Sequence, residues 1–221
     1  MAVKATYLVV YNFLQALGWL YVAVLLLDNY FKTGSFDQSY SVVKDVVGFL
    51  LLGAFLEVIH AAVGLVRSGT LNTLLQWLGR LHVYYAVIGS VPELQSEPAL
   101  AIMLLAWSLI EIIRYPQNAL ATIKASPRWL VWLRYTAFIP LYPAGVLGEV
   151  ILMYKALPYI KDRSLHGEYF KHLPFGYHEF LWGVLLVYPF LWLNLYLYLF
   201  RQRKARLAGQ KKPVKRTSKR E

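Results

Sequence analysis

Cysteine is absent from the 221 residues, which removes disulfides, thiolate catalysis and zinc–thiolate sites from consideration. Charge is scarce too: 16% of residues are Asp, Glu, Lys or Arg, against about a quarter in a soluble domain. Hydrophobic residues make up 58% and the mean hydropathy is +0.44, so the chain is expected in a membrane. Seven Trp, 17 Tyr and 11 Phe suit interfacial belts, where amphipathic rings sit at headgroup level. Acids are the rarer sign, 12 against 23 Lys and Arg for a net charge of +11. Ten of the 23 fall in the final stretch RQRKARLAGQKKPVKRTSKRE. A basic run directly after a span reads as a disordered cytosolic end facing anionic lipid, and not as a nucleic-acid reader.

Long uncharged runs, by contrast, are plentiful. Spans need about 20 mostly apolar residues, and the stretches 7–27, 46–66, 71–91, 99–115, 129–154 and 180–200 qualify or nearly so. The expected fold is therefore all-α, a bundle of six transmembrane helices over residues 1–200, followed by a tail over 201–221. The first stretch does not read as a signal peptide, having one Lys before it and no small-residue cleavage site after it. The connection RSGT makes the second and third helices antiparallel neighbours. No repeat of fixed period is present. Fifteen Lys and Arg lie on the side of the termini and six on the opposite side, so positive-inside bias puts both termini in the cytosol.

The charges that do occur inside spans are costly, at about 2.5–3.5 kcal/mol each near a helix centre. Glu57, Arg80, Glu111, Arg114, Arg134 and Glu149 are three acids and three bases, for which mutual pairing is expected. Helical spacing groups them. Gly53, Glu57, His60 and Gly64 form one stripe, Gln76, Arg80 and Tyr84 a second, and Arg134, Phe138, Tyr142, Gly145 and Glu149 a third. Three polar faces imply a central polar cavity. His60 and His82 read as packed or hydrogen-bonded histidines, because no further ligand stands at metal-site spacing.

The third stripe runs through FIPLYPAGVLGEVIL, where Tyr142 and Glu149 share a face about 10.5 Å apart along the axis. Gly145 and Gly148 keep the wall between them low. In apolar surroundings a carboxyl can hold or take a proton near neutral pH, while a phenol can donate one. Flanking a small gap, the two suit general acid–base work such as elimination of water, isomerisation or hydration, with no metal or cofactor. The membrane setting suggests a lipid substrate.

IHAAVGLVRSG looks like a tyrosine-phosphatase loop, but Ala61 stands at the nucleophile position, which excludes phosphocysteine chemistry. That failed signature, with YNFLQALGW, LEVIHAAVGLVRS, QWLGR, EIIRY, LRYTAFIPLYPAGVLGE and the SKRE end, resembles the very-long-chain (3R)-3-hydroxyacyl-CoA dehydratases, also called protein-tyrosine-phosphatase-like proteins. The resemblance covers most of the chain in order. It implies a six-span enzyme of the endoplasmic reticulum that converts 3-hydroxyacyl-CoA to trans-2-enoyl-CoA during fatty-acid elongation. It further implies condensing and reducing enzymes as partners, Tyr142 and Glu149 as the catalytic pair, and Glu57, Gln76, Arg80, Arg134 and Gly145 in support. Leu81-His82 departs from the aliphatic or Phe pair of relatives, which bears on acyl preference. Arg67, Lys124 and Arg128 are candidates to meet the CoA phosphates from the cytosolic side. A catalytically inactive scaffold of the elongase complex is the alternative; a transporter is opposed by the short chain without internal symmetry.

Overall fold

The computed structural model describes residues 2–210, and within them the chain is helical with no strand. In chain order the helices are α1 (Ala2–Thr33), α2 (Ser39–Gly53), α3 (Phe55–Ala62), α4 (Thr70–Leu81), α5 (Pro98–Thr122), α6 (Arg128–Arg134), α7 (Phe138–Arg163), α8 (Gly167–Phe170) and α9 (Tyr177–Gln210). A π-helical stretch, His82–Ile88, continues α4, and a short 3-10 turn, Pro92–Ser96, precedes α5. Four stretches among the described residues are long and apolar enough to cross a membrane: Val3–Thr33, Pro98–Thr122, Arg128–Arg163 and Tyr177–Ala208. The other two expected spans are made of shorter pieces, α2 with α3 and α4 with its π extension.

Each interruption has a local cause. At the α2–α3 break, three carbonyls receive side-chain donors from neighbouring helices, where hydrocarbon could supply none. Gln15 Nε2 donates to Leu50 O at 3.4 Å, Trp77 Nε1 to Leu51 O at 2.7 Å and Tyr11 OH to Gly53 O at 3.3 Å. Between α6 and α7 the cause is Pro140, whose ring crowds the carbonyl four residues back, that of Thr136. This carbonyl instead accepts from Ile139 N at 3.0 Å. Pro143 frees the Ile139 carbonyl in the same way, and Tyr196 OH of α9 donates to it at 2.9 Å.

α5 is the central helix, and the apolar core gathers around it. Leu100, Met103 and Leu104 are fully buried against α7's Leu152 and Met153 and α1's Trp19 and Leu26. Gly148 permits that approach: a Cβ there would lie 2.8 Å from Ala99 O and 2.9 Å from Met103 Cβ. Gly148→Ala is therefore expected to lower stability by about 1–3 kcal/mol through overpacking. Gly145→Ala, whose added carbon meets nothing closer than 3.6 Å, should leave the midpoint of thermal unfolding in detergent nearly unchanged.

Cross-helix contacts order the ends of the bundle. Glu97 pairs with Lys155 at 2.6 Å, and Glu93 pairs with Arg163, whose hydrogen bond holds the Glu93 carboxyl below its ordinary range. Towards the other end, Tyr7 meets His60 and Arg203 meets Thr136; the connections 63–69 and 123–127 share that end. Phe55 packs on Trp77 at 4.7 Å between ring centres, so the pieces joined through RSGT are neighbours, as expected.

Several expectations are corrected. α3 ends at Ala62, and Gly64, at φ +69°, turns the chain beyond it, so the stripe that begins at Gly53 stops at His60. A π turn closes on i+5, and Tyr84 lies within it, buried, donating to Lys44 O on α2 at 3.0 Å. Tyr84 thus leaves the Arg80 face, and Gln76 is exposed on α4. α9 runs through residue 200 to Gln210, so the first ten residues of the expected disordered tail are helical; 211–221 lie outside the described residues.

Candidate active site

Where a polar cavity was expected, the interior holds side chains bonded to one another. Arg114 on α5 grips two carboxylates: Nη1 and Nη2 donate to Glu57 at 2.7 and 2.8 Å, and Nε donates to Glu111 at 2.5 Å. Tyr115 OH also donates to Glu57, at 2.5 Å, and Tyr11 OH reaches it from α1 at 3.5 Å. Arg80 Nη1 donates to the second oxygen of Glu111 at 2.6 Å. Two acids and two bases are thus paired in one buried network, as the cost of burial demands.

Glu149 and Arg134 stand outside that network. The Glu149 carboxylate accepts from Trp107 Nε1 on α5 at 2.8 Å, and from Tyr188 OH on α9. Both donors are neutral. Arg134, the last residue of α6, has no acidic partner among the described residues, and its guanidinium carbon is 6.0 Å from the Tyr135 ring centre. The break at residues 135–137 separates it from α7, so the stripe from Arg134 to Glu149 is carried by two helices, not one.

Tyr142 and Glu149 both lie on α7, half-buried, with Pro143 between them. Among the described residues the Tyr142 hydroxyl has no hydrogen-bond partner; the charges acting on it through space are Arg80, Glu149, Arg134 and Glu111. A free phenol and a held carboxyl therefore share one helix, and the phenol lies in the field of a cation outside the paired network, Arg134. Arranged so, they can move a proton on and off a bound molecule, with positive charge available for an oxygen that becomes negative. Gly145 is buried against Ala106 and Trp107.

Of the sequence-predicted supporting residues, Glu57 and Arg80 join the ion-pair network, Gly145 packs on Trp107, and Arg134 and Gln76 do not enter the network. Arg67, Lys124 and Arg128 are exposed at the end holding the 63–69 and 123–127 connections. His60 bonds Tyr7 OH at 2.8 Å and His82 bonds Tyr177 OH at 2.9 Å, so each histidine has a tyrosine partner. Spacing within single spans missed Trp107 and Tyr188, and it left Glu111 and Arg114 at the margin. A signal was present: Trp107, Glu111, Arg114 and Tyr115 follow i, i+4, i+7, i+8, a fourth polar stripe.

Comparison with known proteins adds the lineage. Very-long-chain (3R)-3-hydroxyacyl-CoA dehydratase 2 of Mus musculus is 36% identical over 205 residues, covering 91% of this chain and 81% of the relative. The Homo sapiens protein of the same name is 35% identical over 201 residues, covering 90% and 79%. Very-long-chain (3R)-3-hydroxyacyl-CoA dehydratase 1 of Mus musculus is 31% identical over 207 residues, covering 92% and 74%. No solved structure matches. The family described as "Protein tyrosine phosphatase-like protein, PTPLA" matches residues 51–209, a stretch that takes in the paired network, Tyr142 and Glu149, and the chain belongs to that family.

Proposed function

We propose that this protein is a hydro-lyase that removes water from (3R)-3-hydroxyacyl-CoA of very long chain to give the trans-2-enoyl-CoA, with Tyr142 and Glu149 as its acid–base pair. The dehydratase names of its relatives support the reaction. The observation that carries the residue assignment is that Glu149 bonds no arginine: among the described residues it is the interior carboxylate held only by neutral donors, on the same helix as an unengaged phenol. Elimination needs a group to take the α-proton and a group to protonate the departing hydroxyl, and these two flank a gap of about 10.5 Å along the helix axis. Arg134 supplies positive charge towards the thioester, whose oxygen gains negative charge as the α-proton leaves.

In this reading the helical pieces make six crossings of the endoplasmic-reticulum membrane, with both termini cytosolic and the acyl thioester seated between α5, α7 and α9. The CoA phosphates stay in water against Arg67, Lys124 and Arg128, and the acyl tail runs along apolar helix faces. Condensing and reducing enzymes of elongation supply the substrate and consume the product. The test is direct: protein purified in detergent and given a (3R)-3-hydroxyacyl-CoA series is expected to yield enoyl-CoA. Absence of turnover at every chain length, together with co-purification of condensing and reducing enzymes, would turn the reading to a scaffold.

A further inference from the structure

We infer that Trp107 and Tyr188 are positioning residues of the reaction, and that Trp107 is the part through which Arg80 and Gly145 act on Glu149; this rests on the dehydratase reading above. A carboxyl that exchanges a proton with a substrate must be held in one orientation, because misplacement by about 1 Å can cost on the order of 10²-fold in rate. On Glu149 each oxygen has its own donor, Trp107 Nε1 at 2.8 Å on Oε1 and the Tyr188 hydroxyl on Oε2. The two come from α5 and α9, on different sides of α7, so the carboxyl plane is fixed from two directions. A carboxylate has about four lone-pair sites, and two remain for the substrate.

The indole is itself held in place. Trp107 is 4% exposed. The Arg80 guanidinium lies over its ring, 5.0 Å from the centroid, while Arg80 Nη1 donates to Glu111, one turn along α5 from Trp107. The cation thus rests on the ring face and is tied by its charge to the same helix. The ring edge abuts Gly145, where an added Cβ would stand 3.7 Å from Trp107 Cδ1 and 3.9 Å from Nε1. A larger side chain at 145 would press on the atom that bonds Glu149. Arg80, Gly145 and Glu149, which lie on two helices with no contact motif in common, therefore meet on a single indole.

Trp107→Phe keeps an aromatic ring for Arg80 and removes the N–H; Tyr188→Phe removes only the hydroxyl. Each is expected to lower kcat by about 10- to 100-fold with KM within about two-fold of wild type while the protein remains folded. On a Glu149→Ala background, neither should reduce the residual rate further. Equal loss on both backgrounds, or wild-type kcat in both folded variants, overturns the inference. A second readout does not depend on turnover: the carboxylate infrared band isolated as wild type minus Glu149→Gln should shift in both Phe variants. If wild type itself does not turn over, the dehydratase reading fails, and that band alone decides whether the two donors hold Glu149; an unshifted band refutes it.

Discussion

Tyr142→Phe and Glu149→Gln should each lower kcat by about 10²- to 10⁴-fold, the range that a positioned proton-transfer group contributes, while the folded protein is retained. The structure explains why these variants separate chemistry from stability. The Tyr142 hydroxyl bonds no protein group among the described residues, so its removal orphans nothing. At position 149 an amide can still accept from Trp107 through its oxygen and donate to the Tyr188 oxygen through its nitrogen, so both neighbours keep a partner. Burial costs little in either case, and the loss should appear in kcat with the unfolding midpoint preserved. Full turnover by a Tyr142→Phe, Glu149→Ala double variant would sink the assignment of this pair.

What the sequence disclosed follows from which contacts are local. Membrane residence came from composition, and the polar faces of α3 and α7 came from spacing, because three- and four-residue intervals stay on one side of any helix. The pairing of Glu57 and Glu111 with Arg80 and Arg114 was foreseen as a balance of acids and bases, yet its geometry was not. Arg114 reaches Glu57 across 57 positions of chain, and no periodicity encodes such a distance. Tyr84 was misplaced because a π turn looks like an α turn in sequence. The stripe through Arg134 was drawn too long, although Pro140 marked the break in advance. Trp107 and Tyr188 were hidden for another reason: in a chain with seven Trp and 17 Tyr, aromatic residues in spans read as membrane belts. What singles these two out is an opposing carboxylate, which only the packing of α5 and α9 on α7 reveals.

The ion-pair network leads to the second large effect, on stability. Arg114→Leu should destabilise the protein by about 3–5 kcal/mol, the cost of breaking a buried pair from one side. Arg114 presents three nitrogens to two carboxylates, and Glu111 is 2% exposed. Its removal leaves Glu57 and Glu111 sharing one cation, Arg80, which bonds only Glu111. Tyr115 and Tyr11 still donate to Glu57, but neutral donors do not cancel its charge. Arg114→Lys should fall between wild type and Leu, since an ammonium keeps the charge yet cannot fork across two carboxylates. Neutralising the acids at the same time, in Glu57→Gln, Glu111→Gln, Arg114→Leu, should recover part of the loss, because the uncompensated charge and not the missing contact is the main cost. Unfolding midpoints of the three variants in detergent check the order. A midpoint for Arg114→Leu equal to that of wild type would mean that the network does not fasten α3 to α5. Where Arg114→Leu remains folded, its kcat should fall as well: Glu111 keeps Arg80 but loses the arginine that orients its other oxygen, so Arg80 is held less rigidly over the indole that holds Glu149.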